Sequence, residues 1–266
     1  MNGRRLGSRQ LERMGESLSG RDLEILLTVS QFRLATARQV EELHFRGGDG
    51  SAMTKARTAR GVLERLTTAG LLSRLERRVG GVRAGSASYV YAASNLTQRL
   101  LHPEEPRQRL GEPSAFFASH TLAITESFVG LRQAEQRGEL EVIEVETEPT
   151  CWRAFTGNGG GAITLKPDLF VAIGAGDYEH RWFIEVDLGT EHRPTLQRKA
   201  QTYVGYWQTG EEQTRHGVFP QVLWKAPTEA RVERIRSALA EVLAPNGLFV
   251  VTTAEQIAAA VVGGRT

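Results

Sequence analysis

Asp168, Glu185 and Asp187 lie in LKPDLFVAIGAGDYEHRWFIEVDLGTE, residues 165–191, two strand-like runs that meet at Gly176-Asp177. Carboxylates are poor strand formers. Three of them gathered in one hairpin either hold a cation or mark a solvated edge without chemistry. Gly176-Asp177 favours a two-residue turn. That turn sets Val171 opposite Trp182, Leu169 opposite Ile184 and Pro167 opposite Val186 on one face. On the other face Phe170 meets Phe183, Asp168 meets Glu185 and Lys166 meets Asp187. The register that best pairs the apolar residues therefore opposes two carboxylates, which destabilises a sheet. A shared proton or a bound divalent cation removes that penalty, and hard oxygen ligands suit Mg²⁺ or Mn²⁺.

The elements around this hairpin follow from periodicity. SAFFASHTLAITESFVGLRQAEQRG, 114–138, reads as a helix ended by Gly138, and LEVIEVETE, 140–148, alternates as a strand. GNGGGA, 157–162, lacks the Gly-Lys-Ser/Thr of a P-loop and reads as a flexible loop rather than a phosphate cradle. After Gly189 come a helix with Leu196, Tyr203 and Trp207 at its spacing, a strand over 217–227, an amphipathic helix, a strand and a terminal helix. The order from residue 114 is α-β-β-β-α-β-α-β-α, with Tyr203 and Trp207 expected in the core. Glu191 reads either as functional or as an acid at a helix start, where the dipole favours it. His120 and Cys151 are expected to be structural.

The first half is built differently. GRDLEILLTVSQFRLATARQVEELHF gives two short helices, one starting at Asp22 and one capped by Thr36, with a break at Leu34-Ala35. A third helix over 54–72 has Thr54 as its expected N-cap, and Ala59, Val62, Leu63 and Leu66 lie on one face. Lys55, Arg57 and Arg60 are its candidate DNA contacts. A basic hairpin follows, with Arg74, Arg77, Arg78 and Arg83 and a turn at Val79-Gly80-Gly81. Three helices and a basic hairpin make the winged-helix pattern, in which the third helix enters the major groove and the hairpin reaches phosphates or the minor groove. The same pattern also serves protein interaction.

Charge supports the division. Residues 1–110 carry 19 Lys/Arg against 11 Asp/Glu, and residues 111–266 carry 14 against 20, so a net charge of +2 conceals halves of +8 and −6. A basic half points to a polyanionic partner. The single cysteine excludes an internal disulfide, and no Cys/His zinc spacing occurs. No apolar run approaches the roughly 20 residues of a membrane span, and no apolar stretch follows the basic MNGRRLGSRQ start. The expectation is a cytoplasmic α+β protein with no membrane partner. Its parts are a disordered basic arm over 1–14, a winged helix over 15–95, a linker over 96–113 and an αβββαβ domain over 114–266.

The element order, with Pro167-Asp168 on one strand and Glu185 on the next, resembles the core of the PD-(D/E)XK nuclease superfamily. The chain as a whole, over roughly residues 20–255, resembles the replication-relaxation family of bacterial plasmids and mobile elements. That likeness rests on the N-terminal winged helix, the His120-Thr-Leu-Ala helix, the Pro167-Asp168 strand, the Glu185-Val-Asp187-x-Gly-Thr-Glu191 turn and the Lys199-x-x-x-Tyr203 helix. It implies DNA as the partner, together with replication or mobilisation proteins, and a role in replication or relaxation to which nicking is one physical route. It also implies Asp168 and Glu185 as metal-holding catalytic acids, Asp187 as an assistant and Glu126 as a further ligand. The nuclease pattern wants Lys where Asp187 stands. Lys199 or Lys166 could replace it, or the domain binds DNA without cutting and serves replication, regulation or homodimer formation. If Asp168 and Glu185 hold a divalent cation, millimolar Mg²⁺ or Mn²⁺ will raise the melting temperature of the wild type and leave that of the Asp168→Ala, Glu185→Ala double variant unchanged, as differential scanning fluorimetry would show.

Overall fold

The computed structural model describes residues 7–47, 50–75, 89–104, 113–157 and 159–263. Two units divide the chain, Met1–Thr125 and Glu126–Thr266, and the boundary falls inside one helix, Ala115–Gln136. No described helix is long and apolar enough to cross a membrane.

In the first unit the order is α1 (Ser8–Glu16), α2 (Gly20–Phe32), β1 (Leu34–Thr36), α3 (Ala37–His44), α4 (Ala52–Thr68), β2 (Leu72–Leu75), β3 (Val90–Ala93) and α5 (Asn95–Leu101), followed by the first part of α6 (Ala115–Gln136). Reciprocal caps start two of these helices. The Asp22 N–H donates to Ser19 Oγ at 3.2 Å while Asp22 Oδ2 accepts the Ser19 N–H at 2.9 Å, and Thr36 and Gln39 repeat the arrangement. α4 starts from Ser51, three residues before the expected Thr54, whose N–H donates to Ser51 Oγ. Ala52 and Met53 have good helical propensity, so the helix extends back to the first residue able to cap it.

The apolar faces of these helices meet in a core of Ile25, Leu26, Val29, Val40, Leu63 and Leu66. A three-stranded antiparallel sheet of order β1-β3-β2 borders it. The expected break at Leu34-Ala35 is strand β1. Arg33, with φ at +66°, ends α2 and turns the chain so that Leu34 pairs with Ala92 and Ala35 with Tyr91.

Two expectations of irregular chain are corrected. Residues 8–14 of the expected disordered arm lie in α1, which buries Leu11. Most of the expected linker's start forms α5, capped by Ser94, with Leu96, Leu100 and Leu101 packed on the core. Leu11 and Met14 of α1, and Leu96, Leu100 and Leu101 of α5, stand at helical spacing and are drawn out of water, which the charge and proline content of these stretches disguised. The turn at residues 79–81, with Arg77, Arg78 and Arg83, lies outside the described residues.

The second unit continues with the rest of α6, then β4 (Glu141–Thr147), β5 (Arg153–Thr156), β6 (Ala162–Leu165), β7 (Leu169–Ala175), β8 (Tyr178–Val186), α7 (Arg193–Thr209), α8 (Glu211–His216), β9 (Gln221–Ala226), α9 (Glu229–Leu239), β10 (Phe249–Thr253) and α10 (Ile257–Val262). Its mixed sheet has the order β10-β9-β8-β7-β4. β4, β7 and β8 are antiparallel neighbours, while β8, β9 and β10 run parallel. The predicted register of the central hairpin is found throughout β7 and β8, from Leu169↔Ile184 to Ala175↔Tyr178. β5 and β6 pair as a separate antiparallel hairpin, and between them the Gly157 N–H donates to the Gly161 carbonyl.

β7 from Leu169 to Ile173 and β8 from Trp182 to Val186 are buried on both faces, and their apolar runs reflect this. On one face Phe170, Phe183, Val222 and Trp224 pack against Leu196, Ala200, Tyr203 and Tyr206 of α7 and against Val232, Ile235 and Ala238 of α9. On the other, the Trp182 indole donates to the Val261 carbonyl of α10 at 3.1 Å. Phe183 contacts the rings of Phe170, Tyr203, Tyr206 and Phe219. Phe183→Ala will therefore lower unfolding free energy by about 3–5 kcal/mol, read as a lower urea midpoint at unchanged slope.

Candidate functional site

Side chains alternate along β8, so Glu185 and Asp187 follow Phe183 onto the face covered by α7 and α9. Asp168 sits immediately before β7. All three predicted carboxylates are buried, Asp168 at 6%, Glu185 at 2% and Asp187 at 4% exposure. A buried charge must be neutralised or hydrogen-bonded, and each of the three meets that demand differently.

Glu185 is held from α7. Its Oε1 accepts the Tyr203 hydroxyl at 2.6 Å and its Oε2 accepts Lys199 Nζ at 3.0 Å. Lys199 and Tyr203 are four residues apart, hence on one helix face. Gly189, with φ at +88°, and Pro194 in the first turn let the chain leave β8 and start α7 within a few residues. Lys199 also reaches Glu191 Oε1 at 2.8 Å, so one ammonium bridges two carboxylates. Burial, with the charge of Asp168 adding to it, pushes the Glu185 carboxyl up to about 7 against the pull of Lys199 and Tyr203. Burial draws Lys199 down, but Glu185 and Glu191 outweigh it and leave the ammonium above its ordinary range.

Asp187 belongs to a different arrangement. Arg231 of α9 donates to both its oxygens, at 2.8 and 2.7 Å, and also to the Glu191 carbonyl at 2.6 Å. The Gly189 N–H donates to Asp187 Oδ1 at 2.6 Å. This bidentate pairing is geometrically specific and fixes the 187–191 turn. Lys166, expected opposite Asp187, instead lies over the Trp152 ring at 4.4 Å.

The β7–β8 ladder begins at Leu169↔Ile184 and does not extend to Asp168 and Glu185 as strand partners. Asp168 Oδ2 accepts the Val186 N–H at 2.7 Å, which ties the end of one strand to the other. Beside it is Lys225, which lies opposite Val186 on β9 and is 5% exposed. Burial lowers its ammonium to about 8, with Glu126 and Asp168 opposing the shift. Among the described residues no three His, Cys, Asp or Glu side chains are gathered to hold a metal ion. Asp168, Glu185 and Glu126 are thus not one cluster, and Glu126 acts on Lys225. Two buried carboxylates, one raised by burial and then by the charge of the other, still fit Mg²⁺, which takes one or two carboxylates and completes its shell with water and phosphate.

In the first unit, Arg57 and Arg60 are exposed on α4. Arg60 Nε donates to the Ala56 carbonyl at 3.2 Å, and Lys55 Nζ donates to the Arg46 carbonyl at 2.8 Å. Arg74 lies over the Tyr89 ring at 4.5 Å and 3.6 Å from Glu64. The site contributions of Tyr203, Lys225 and Arg231 escaped sequence reasoning. Lys225 had a signal, a lysine inside the apolar run QVLWKA. Arg231, on an amphipathic helix with four other charged residues, had none.

The fold is α+β, with a mixed sheet whose central strand ends in a buried carboxylate, lysine and tyrosine constellation. The sequence matches the replication-relaxation family over residues 26–222, and the chain belongs to that family. No curated protein matches it. Among solved structures, the restriction endonuclease FokI bound to DNA aligns at 12% identity with a TM-score of 0.27, over 97% of this chain and 46% of that one. The chain thus spans about half the length of that structure.

Because Glu185 binds its proton more tightly folded than unfolded, its stabilising contribution is complete below its ordinary value of 4.5 and is lost as pH rises through about 7. In the metal-free wild type the urea midpoint will fall across that window. Glu185→Gln, which cannot titrate, will flatten the fall.

Proposed function

We propose that this replication-relaxation protein acts on the DNA of a plasmid or mobile element. In this reading the first unit is a winged helix that places α4 in the major groove. The second unit is a PD-(D/E)XK-like domain that cuts a phosphodiester with Mg²⁺ or Mn²⁺. The observation that carries the proposal is Lys199 Nζ at 3.0 Å from Glu185. The lysine absent from position 187 is supplied by the next helix, against the second acid. Perturbed titrating groups gathered at one point are the mark of a functional site, and Glu185 and Lys225 flank the same Asp168.

The roles follow from the contacts. Asp168 and Glu185 would hold the cation, which supplies Lewis acidity and a water of lowered pKa. Lys199, already charged and fixed between Glu185 and Glu191, stabilises negative charge developing on the phosphate. Tyr203 holds the Glu185 carboxylate in orientation. Asp187, occupied by Arg231, shapes the turn and does not touch the reacting atoms.

A second reading also has an observation in its favour. Both Glu185 oxygens are engaged by protein donors, as are both Asp187 oxygens. A site so satisfied suits a non-enzymatic, cytoplasmic DNA-binding factor whose second unit contacts replication or mobilisation proteins or a second copy of itself.

Supercoiled plasmid with Mg²⁺ or Mn²⁺ decides between them. Under the first reading the wild type yields nicked circles, Lys199→Ala is slower by roughly 10²–10³, as for loss of one charge-stabilising donor, and Asp168→Ala, Glu185→Ala yields none. Plasmid that stays supercoiled yet is retarded in a gel at low salt would overturn cleavage and leave the binding factor.

A further inference from the structure

The 187–191 turn, pinned by Arg231, has a cleft of about 410 Å³ on its far side, between the start of α7 and the outer face of α9. Its charged lining is Glu191, His192, Arg193, Arg231, Glu233 and Arg234. Most of these charges are already matched. Glu191 takes Lys199, Glu233 takes Arg236, Arg193 takes Glu241 and Arg231 takes Asp187. Arg234 and His192 have no ion-pair partner among the described residues. The cleft therefore has one unmatched cation, a guanidinium that can grip two oxygens at once, with an imidazole in the same lining able to hydrogen-bond. Its volume is that of a small-ligand site, larger than a single inorganic ion needs.

We propose that this cleft is a nucleic-acid backbone subsite, in which Arg234 and His192 bind a phosphate neighbouring the one presented to Asp168 and Glu185. The inference rests on the reading that DNA is the partner of the second unit. Continuity with the candidate site supports it. Glu191 lines the cleft and shares Lys199 with Glu185, so a single lysine separates the two. Arg231, bound to both Asp187 and the Glu191 carbonyl, sets the wall that the strand would follow. Arg234 acts as an anchor for the substrate and not as a catalytic residue.

The probe is thymidine 3′,5′-bisphosphate, which has the phosphate spacing of a DNA strand and is too short to be read in a groove. It is titrated into the full chain by calorimetry, with the His192 ring proton followed by NMR. The subsite predicts saturable binding that moves the His192 resonance, weakens at least tenfold in Arg234→Ala, recovers only in part in Arg234→Lys, which keeps the charge but not the two-oxygen grip, and is unaffected by Arg57→Ala, Arg60→Ala. Arg234 is exposed and has no ion pair among the described residues, so equal melting temperatures for these variants are expected and are checked. No binding by the wild type at millimolar probe, or equal binding by Arg234→Ala, would overturn the proposal. The plasmid assay keeps its failure distinct from that of the cleavage reading. Nicking without bisphosphate binding removes the subsite alone. Bisphosphate binding that depends on Arg234, without nicking, removes cleavage alone.

Discussion

A carboxylate on the central strand of a sheet, with helices covering that face, must find donors or give up its charge. Glu185 is in that position, and its surroundings answer the demand. Tyr203 and Lys199 stand one helical turn apart so that both reach it, which fixes the rotation of α7 about its axis. Gly189 and Pro194 shorten the connection so that the helix starts close enough. The aromatic packing of Phe183 against Tyr203 and Tyr206 fills the space below and removes the water that would otherwise solvate the group. The shifted titration of Glu185 is the residual cost of this burial.

The acids of the Glu185–Glu191 segment divide their work. Glu185 faces inward to Lys199 and Tyr203, and Asp187 faces Arg231. Glu191 closes the loop by sharing Lys199 with Glu185 while giving its carbonyl to Arg231. Two cations from two helices thus tie one short turn at both ends. The segment keeps its shape through ion pairs whose members lie far apart in sequence, 14 residues for Lys199 with Glu185 and 44 for Arg231 with Asp187.

That separation explains what could be read in the chain. The central hairpin was legible because strand alternation and a two-residue turn fix register locally, and every pair from Leu169↔Ile184 to Ala175↔Tyr178 follows from them. The start of α3 at Thr36 was legible for the same local reason. α1, β1 and α5 were not. Each is short, and each depends on the rest of the unit, β1 on pairing with β3 and α5 on leucines that only a finished core can receive. At the site, the sequence singles out Asp168, Glu185, Asp187 and Lys199 as candidates but not the partner of Asp187. No pattern in the chain signals that a guanidinium 44 residues on will occupy both its oxygens.

Cys151 is fully buried, its thiol donates to the Pro167 carbonyl at 3.1 Å, and burial pushes it up to about 12. It is the only cysteine in the chain. At neutral pH it is almost wholly un-ionised, and maleimides and mild oxidants act on the thiolate. The native protein is therefore a blank background for thiol labelling. A cysteine introduced on an exposed position of either unit would be the single reactive sulfur, so a fluorophore or spin label could be placed site-specifically without first removing a native residue from the core.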